Sequence, residues 1–297
     1  MGSIDSMPND VGRDGHEELT VLVTGFGPFK DGYPVNPSWE IASSLPQYLP
    51  WDRVKDPSHR TSTKMPRVRL LVHPQPVRVN YETVRELVPT LWDYPQQKVD
   101  LALHIGMAGP AARYSIEHRA HRDGYKHKDV DGNLLEDDKR REREGDKWIW
   151  HGAPEELLTD LDIDDIYGKW VDRSPDGPEL RISEDPGRYL CDFIYFSSLA
   201  HLYKQNRPRK VLFLHVPAQG TSEFVKQGTE LATQLLRSMV ESEVENREEK
   251  LQTSEKATWY GCGAHIPSVL DNVSQDEWCT CEPKVEMNGK KYPPKAK

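Results

Sequence analysis

Long apolar runs, a basic surface and paired cysteines are all missing from this chain of 297 residues. No stretch approaches the roughly eighteen consecutive apolar residues of a membrane span, and the first residues lack the apolar core of a secretion signal. The expectation is a cytoplasmic protein that makes no use of a membrane. Lysine and arginine total 39 against 48 acids, a formal net charge of −9, which argues against a nucleic-acid-binding surface. The densest basic run, Lys139-Arg140-Arg141-Glu142-Arg143, is interrupted by acid and preceded by Glu136, Asp137 and Asp138, so it reads as a solvated face or loop. Of the four cysteines, Cys279-Thr280-Cys281 and a distant Cys262 lack the paired C-x-x-C spacing of a zinc ribbon, even with His265 nearby. No metal and no other cofactor is expected, and so few thiols suit a reducing compartment.

Hydrophobic residues make up 36% of the chain, low for a packed domain, and the deficit lies in three regions. Residues 1–18 form a polar, glycine-bearing N-terminus; residues 131–180 are dense in charge; residues 241–297 mix charge with proline and form a C-terminal extension. Between them the pattern is that of an α/β core. Strands are expected near 20–25, 68–73, 100–105 and 211–216, alternating with helices near 37–47, 79–93, 187–204 and 222–241. Phe224-Val225, Leu231-Ala232, Leu235-Leu236 and Met239-Val240 recur at helical spacing and mark a core-facing stripe. The order favours a three-layer α/β/α fold with a mostly parallel, twisted sheet covered on both faces, built as one catalytic domain over 19–240 with the 131–180 insertion inside it.

Three residue types in this core can carry nucleophilic chemistry. Cys191 lies in Ser183-Glu184-Asp185-Pro186-Gly187-Arg188-Tyr189-Leu190-Cys191, where Ser183 or Asp185 can cap a helix and Pro186 can occupy its first turn. A thiol there feels the positive end of a helix, which favours the reactive thiolate. A lone free cysteine is also a common core residue, so its company decides. His215 ends the apolar run Val211-Leu212-Phe213-Leu214, at the exit of a buried strand where catalytic side chains of open α/β sheets gather. Glu117 follows a third strand, Leu101 to Ile105, and its turn Gly106-Met107-Ala108-Gly109, and can orient the imidazole. His104, inside that strand, reads as structural.

Four blocks in order, Val21-Leu22-Val23-Thr24-Gly25-Phe26-Gly27-Pro28-Phe29 with Val35-Asn36-Pro37-Ser38-Trp39, His104 to Gly109 through Glu117, Gly187 to Phe193, and Phe213 to Pro217, resemble the pyroglutamyl peptidase I family of cysteine peptidases. Val77-Arg78-Val79-Asn80-Tyr81-Glu82-Thr83-Val84 fits the stretch before the second block. The resemblance implies that Cys191 is the nucleophile, His215 the general base and then acid, and Glu117 the group orienting the imidazole. It implies hydrolysis of the amide bond after an N-terminal pyroglutamyl residue, with such peptides as partners and no cofactor.

It also implies a pocket for the flat, uncharged lactam, which needs apolar walls and a few hydrogen bonds. Phe26 and Phe29 match the family's lining positions, Tyr189 and Leu190 the wall beside the nucleophile, and main-chain groups of Gly106 and Met107 would read the lactam amide. Met107 departs from the bacterial pattern, which has glutamine there. Two alternatives stand beside this reading: another cysteine amidohydrolase on the same scaffold, and a silent binding protein that keeps the fold.

Overall fold

Alternation of short β-branched runs with amphipathic segments produces a six-stranded central sheet. The computed structural model describes residues 18–29, 34–50, 65–93, 98–109, 112–255, 266–271, 275, 278–279, 284–287 and 289–293. In chain order its elements are β1 (Glu18–Gly25), α1 (Pro37–Ser43), β2 (Arg67–Val72), α2 (Tyr81–Trp92), β3 (Leu101–Met107), β4 (Arg113–Glu117), β5 (Arg119–His121), α3 (Asp137–Glu144), β6 (Glu156–Leu158), α4 (Ile163–Arg173), β7 (Glu179–Ser183), α5 (Leu190–Lys204), β8 (Val211–Val216), α6 (Ser222–Glu255), α7 (Ile266–Leu270), β9 (Val285–Met287) and β10 (Lys290–Tyr292). Among the described residues, no helix is long and apolar enough to cross a membrane. Contacts divide the chain into two compact units, residues 1–240 and 241–297.

In the larger unit the strand order is β2-β1-β3-β8-β4-β7. All pairs are parallel except β4 with β8, so the sheet is mostly parallel, as an α/β layer fold requires. β3 and β8 are buried along nearly their whole length, which is why they read as continuous apolar runs. On one face, Leu22, Ala102, Val211 and Phe213 pack with Phe193, Ile194, Phe196 and Leu199 of α5 and Val84 and Val88 of α2. Capping explains where the covering helices begin. Asn36 caps α1 through the Ser38 N–H, with Pro37 in its first turn, and Asn80 caps α2 through the Thr83 N–H.

The charged stretch 131–180 contributes to the core through a few large residues. Trp148, Trp150 and Leu157 join the cluster around α5. Trp170 of α4 is fully buried, and its indole Nε1 donates to the Leu231 carbonyl at 2.9 Å. β7, at the end of this stretch, is an edge strand of the central sheet.

In the smaller unit, Ile266, Leu270, Trp278 and Tyr292 form a separate apolar cluster beside the β9–β10 hairpin. Cys279 is disulfide-bonded, whereas Cys191 is free. Cys262, Cys281, His265 and most of the polar N-terminus lie outside the described residues.

Candidate active site

The antiparallel pairing of β4 with β8 sets the acid beside the imidazole. Ser115 lies directly across from His215 and Glu117 from Phe213, and alternate residues of a strand share a face, so Glu117 is the diagonal neighbour of His215. His215 Nδ1 donates to Glu117 Oε1 at 2.7 Å. Glu117 is 1% exposed and His215 8%, which places this bond away from water. The Tyr195 hydroxyl of α5 donates to the Glu117 carbonyl at 2.9 Å and ties β4 to the nucleophile helix.

Cys191 stands on the other side of the same imidazole. Burial works against a charged His215, yet Cys191 and the hydrogen-bonded Glu117 both favour its positive form and raise it to about 10. Gly106 makes room for the approach. It sits in register with His215 on the neighbouring strand, and a Cβ there would fall 2.5 Å from the Phe213 ring and 2.8 Å from Cys191 Sγ.

The local chain before Cys191 differs from the expected helix start. Pro186 is not in the first turn: Asp185 Oδ1 accepts from the Gly187 N–H at 3.0 Å, and Gly187 takes φ +85, which favours glycine. α5 then starts at Leu190, with Tyr189 as an N-cap that offers no side-chain bond. Cys191 is therefore the second helical residue, closer to the positive end than the sequence suggested. The first main-chain bond of the helix is Phe193 N–H to the Tyr189 carbonyl, so the preceding N–H groups have no intrahelical acceptor. Asp192, fully buried, fixes this end by accepting from the His121 N–H at 2.9 Å; burial raises its pKa although His121 and Arg188 oppose the shift.

Cys191, His215 and Glu117 line one cleft of about 440 Å³ together with Met107 and Tyr189. The Phe29 ring lies 5.5 Å from that of Tyr189, which also meets Tyr81 at 6.0 Å. Phe26 and Leu190 are core residues, 3% and 1% exposed, and back the site instead of walling it. Gly106 and Met107 belong to β3 and not to a turn; the β1–β3 ladder ends at Gly25 and Ile105, while the β3–β8 ladder continues to Met107. His104 is buried and hydrogen-bonded to Thr24 at Nδ1 and Ser198 at Nε2, and burial lowers its pKa to about 3, in keeping with a structural role.

Sequence reasoning missed Arg113, Ser115 and Arg181, which line the same cleft. The signal was present: Arg113-Tyr114-Ser115-Ile116-Glu117 and Glu179-Leu180-Arg181-Ile182-Ser183 both alternate polar and apolar, the period of a half-buried strand.

A doubly covered, mostly parallel sheet carrying a free thiol beside a carboxylate-held imidazole defines an α/β cysteine hydrolase. The family model described as pyroglutamyl peptidase matches residues 19–244, and the chain belongs to that family. Pyroglutamyl-peptidase 1 of Mus musculus is 32% identical over 200 residues, covering 67% of this chain and 79% of the relative. Pyrrolidone-carboxylate peptidase of Pyrococcus furiosus is 30% identical over 200 residues, covering 67% and 81%. A solved structure of a mutant pyrrolidone carboxyl peptidase from Pyrococcus furiosus is similar at TM-score 0.54 and 25% identity, over 77% of this chain and 100% of that one. A Thermococcus litoralis structure, 17% identical at TM-score 0.57 over 77% and 96%, shares the fold. A second model, of a domain of unknown function, matches residues 247–289.

Proposed function

We propose that residues 19–240 form a catalytic domain that hydrolyses the amide bond after an N-terminal pyroglutamyl residue, with Cys191 as nucleophile, His215 as general base and acid, and Glu117 orienting the imidazole. The observation that carries this reading is that one imidazole answers to both groups: His215 Nδ1 is bonded to Glu117, and Cys191, which lines the same cleft, favours the charged ring. An imidazolium raised to about 10 is protonated at neutral pH, and its natural counterion is the Cys191 thiolate. The thiolate attacks the pyroglutamyl carbonyl, and the unpaired N–H groups at the start of α5 face the developing oxyanion. His215 gives its proton to the departing amine and then takes one from the water that hydrolyses the thioester. Glu117 keeps Nδ1 protonated, so that Nε2 handles the transferred proton.

Phe29 and Tyr189 supply the flat apolar wall for the lactam, with Phe26 and Leu190 packed behind. Main chain of Gly106 and Met107, past the end of the β1–β3 ladder, reads the lactam amide, a contact that tolerates methionine because it uses no side chain. A panel of pyroglutamyl, prolyl and glutaminyl aminomethylcoumarins tests the substrate class. Pyroglutamyl turnover alone supports it; turnover of another amide in its place shows that the pocket has been reshaped around Met107.

A further inference from the structure

Beyond the lactam and the reacting groups, the cleft holds two guanidinium groups that, among the described residues, are paired with no carboxylate. Arg113 and Arg181 line the cavity that contains Cys191 and His215. They lie on β4 and β7, and the strand order runs β3-β8-β4-β7, so the face passes from Gly106, through His215, to the two arginines. Phe29 follows β1, which lies on the far side of β3 and β8 from the strands of the two arginines. Strands are spaced about 4.8 Å apart, so β4 and β7 stand about 5 and 10 Å beyond β8, within reach of the residue after the scissile bond.

The charge is neither neutralised nor poorly aimed. Arg181 Nε donates to Ser115 Oγ at 2.8 Å, a neutral bond that steers the guanidinium without cancelling its charge. Ser115 is 3% exposed and lies across from His215. The carboxylates of the neighbourhood are occupied or unpaired with the arginines. Glu117 holds His215, and Asp185 accepts from the Gly187 N–H and from Arg188 Nη1. Glu179, the register partner of Arg113, forms no ion pair with it, and among the described residues neither arginine is bridged to a carboxylate. Two cations lining a cleft, Arg113 half-buried and Arg181 exposed, attract and orient an anion, best of all the planar carboxylate that a guanidinium matches.

We propose that Arg113 and Arg181 form a carboxylate-binding subsite on the leaving-group side of Cys191. The preferred substrates are pyroglutamyl peptides whose second residue presents a carboxylate, either an acidic side chain or the free C-terminus of a dipeptide. This rests on the pyroglutamyl-peptidase reading and adds a specificity to it.

The test compares kcat/KM for pyroglutamyl-Glu-amide against the neutral pyroglutamyl-Gln-amide, and for pyroglutamyl-Ala with a free carboxylate against pyroglutamyl-Ala-amide. The first pair reports side-chain recognition and the second terminal recognition. In the wild type at least one ratio is about tenfold or more, as one charged hydrogen bond allows. The ratio falls to about twofold or less in the Arg113→Gln, Arg181→Gln double variant, is largely kept in the double lysine variant, and shrinks as salt is raised. If the double glutamine variant does not fold, Arg113→Gln alone is used, with the salt series as the second readout. Ratios near one in the wild type, or a ratio that survives charge removal and high salt, overturn the subsite and leave the peptidase reading intact. No turnover of any pyroglutamyl substrate overturns both.

Discussion

His215 meets Glu117 by a diagonal across the β4–β8 pair, Nδ1 to Oε1 at 2.7 Å, in a position where neither residue is more than 8% exposed. The bond depends on β4 running against its neighbour in an otherwise parallel sheet. In the proposed mechanism it fixes the tautomer and supports the charge on the ring.

Replacing Glu117 with Gln keeps the shape and removes the charge. The expected result is a fall in kcat of roughly 10²–10⁴-fold with a smaller change in KM. Because burial lowers the His215 pKa while Cys191 and Glu117 raise it to about 10, the alkaline limb of the rate profile lies near that pH in the wild type. In the variant it moves down by about a unit or more, since a charge that favours the imidazolium is gone. A pH–rate profile of both proteins checks this.

Gly106→Ala tests how tightly the thiol is placed. The new Cβ would sit 2.5 Å from Phe213 Cζ and 2.8 Å from Cys191 Sγ, so the ring or the sulfur has to move. A misplacement of this kind costs roughly 100-fold in turnover. Thermal melting with kinetics separates a displaced nucleophile from loss of the fold.

His104 makes stability depend on pH. Its pKa is about 3 when folded, lowered by burial, against 6.5 as the ordinary value, so the unfolded chain takes up a proton that the folded chain refuses. The stabilisation is complete above about pH 6.5 and declines as pH falls towards 3. Urea denaturation at pH 8, 6.5 and 5 reads the slope. His104→Asn is less stable at pH 8, having lost ring packing and a hydrogen bond, and declines less steeply on acidification.

Trp170→Ala tests whether the charged stretch belongs to the core. Removing a fully buried indole that also donates to Leu231 costs about 3–5 kcal/mol, read as a lower denaturation midpoint. An unchanged midpoint would show that α4 packs loosely.

Much of this fold was legible because buried parallel strands announce themselves as apolar runs, as Val211 to Leu214 does. Cys191 and His215 were legible from a helix start and a strand end, and Glu117 from its place after the turn expected at Gly106 to Gly109. β4 and β7 escaped because Arg113, Ser115, Glu117 and Arg181 line the cleft and only Tyr114, Ile116, Leu180 and Ile182 alternate with the polar residues. Stretch 131–180 read as a charged insertion because charge outnumbers apolar residues there, although Trp148, Trp150 and Trp170 are each buried. The diagonal between Glu117 and His215 is a matter of register between segments 98 residues apart, which local pattern does not encode.

The most direct measurement is release of aminomethylcoumarin from its pyroglutamyl derivative, under mild reduction, by the wild type and by Cys191→Ala. The account predicts steady release by the wild type and none above background by the folded variant. Release that persists without the thiol, or a folded wild type with Cys191 reduced that releases nothing, contradicts it.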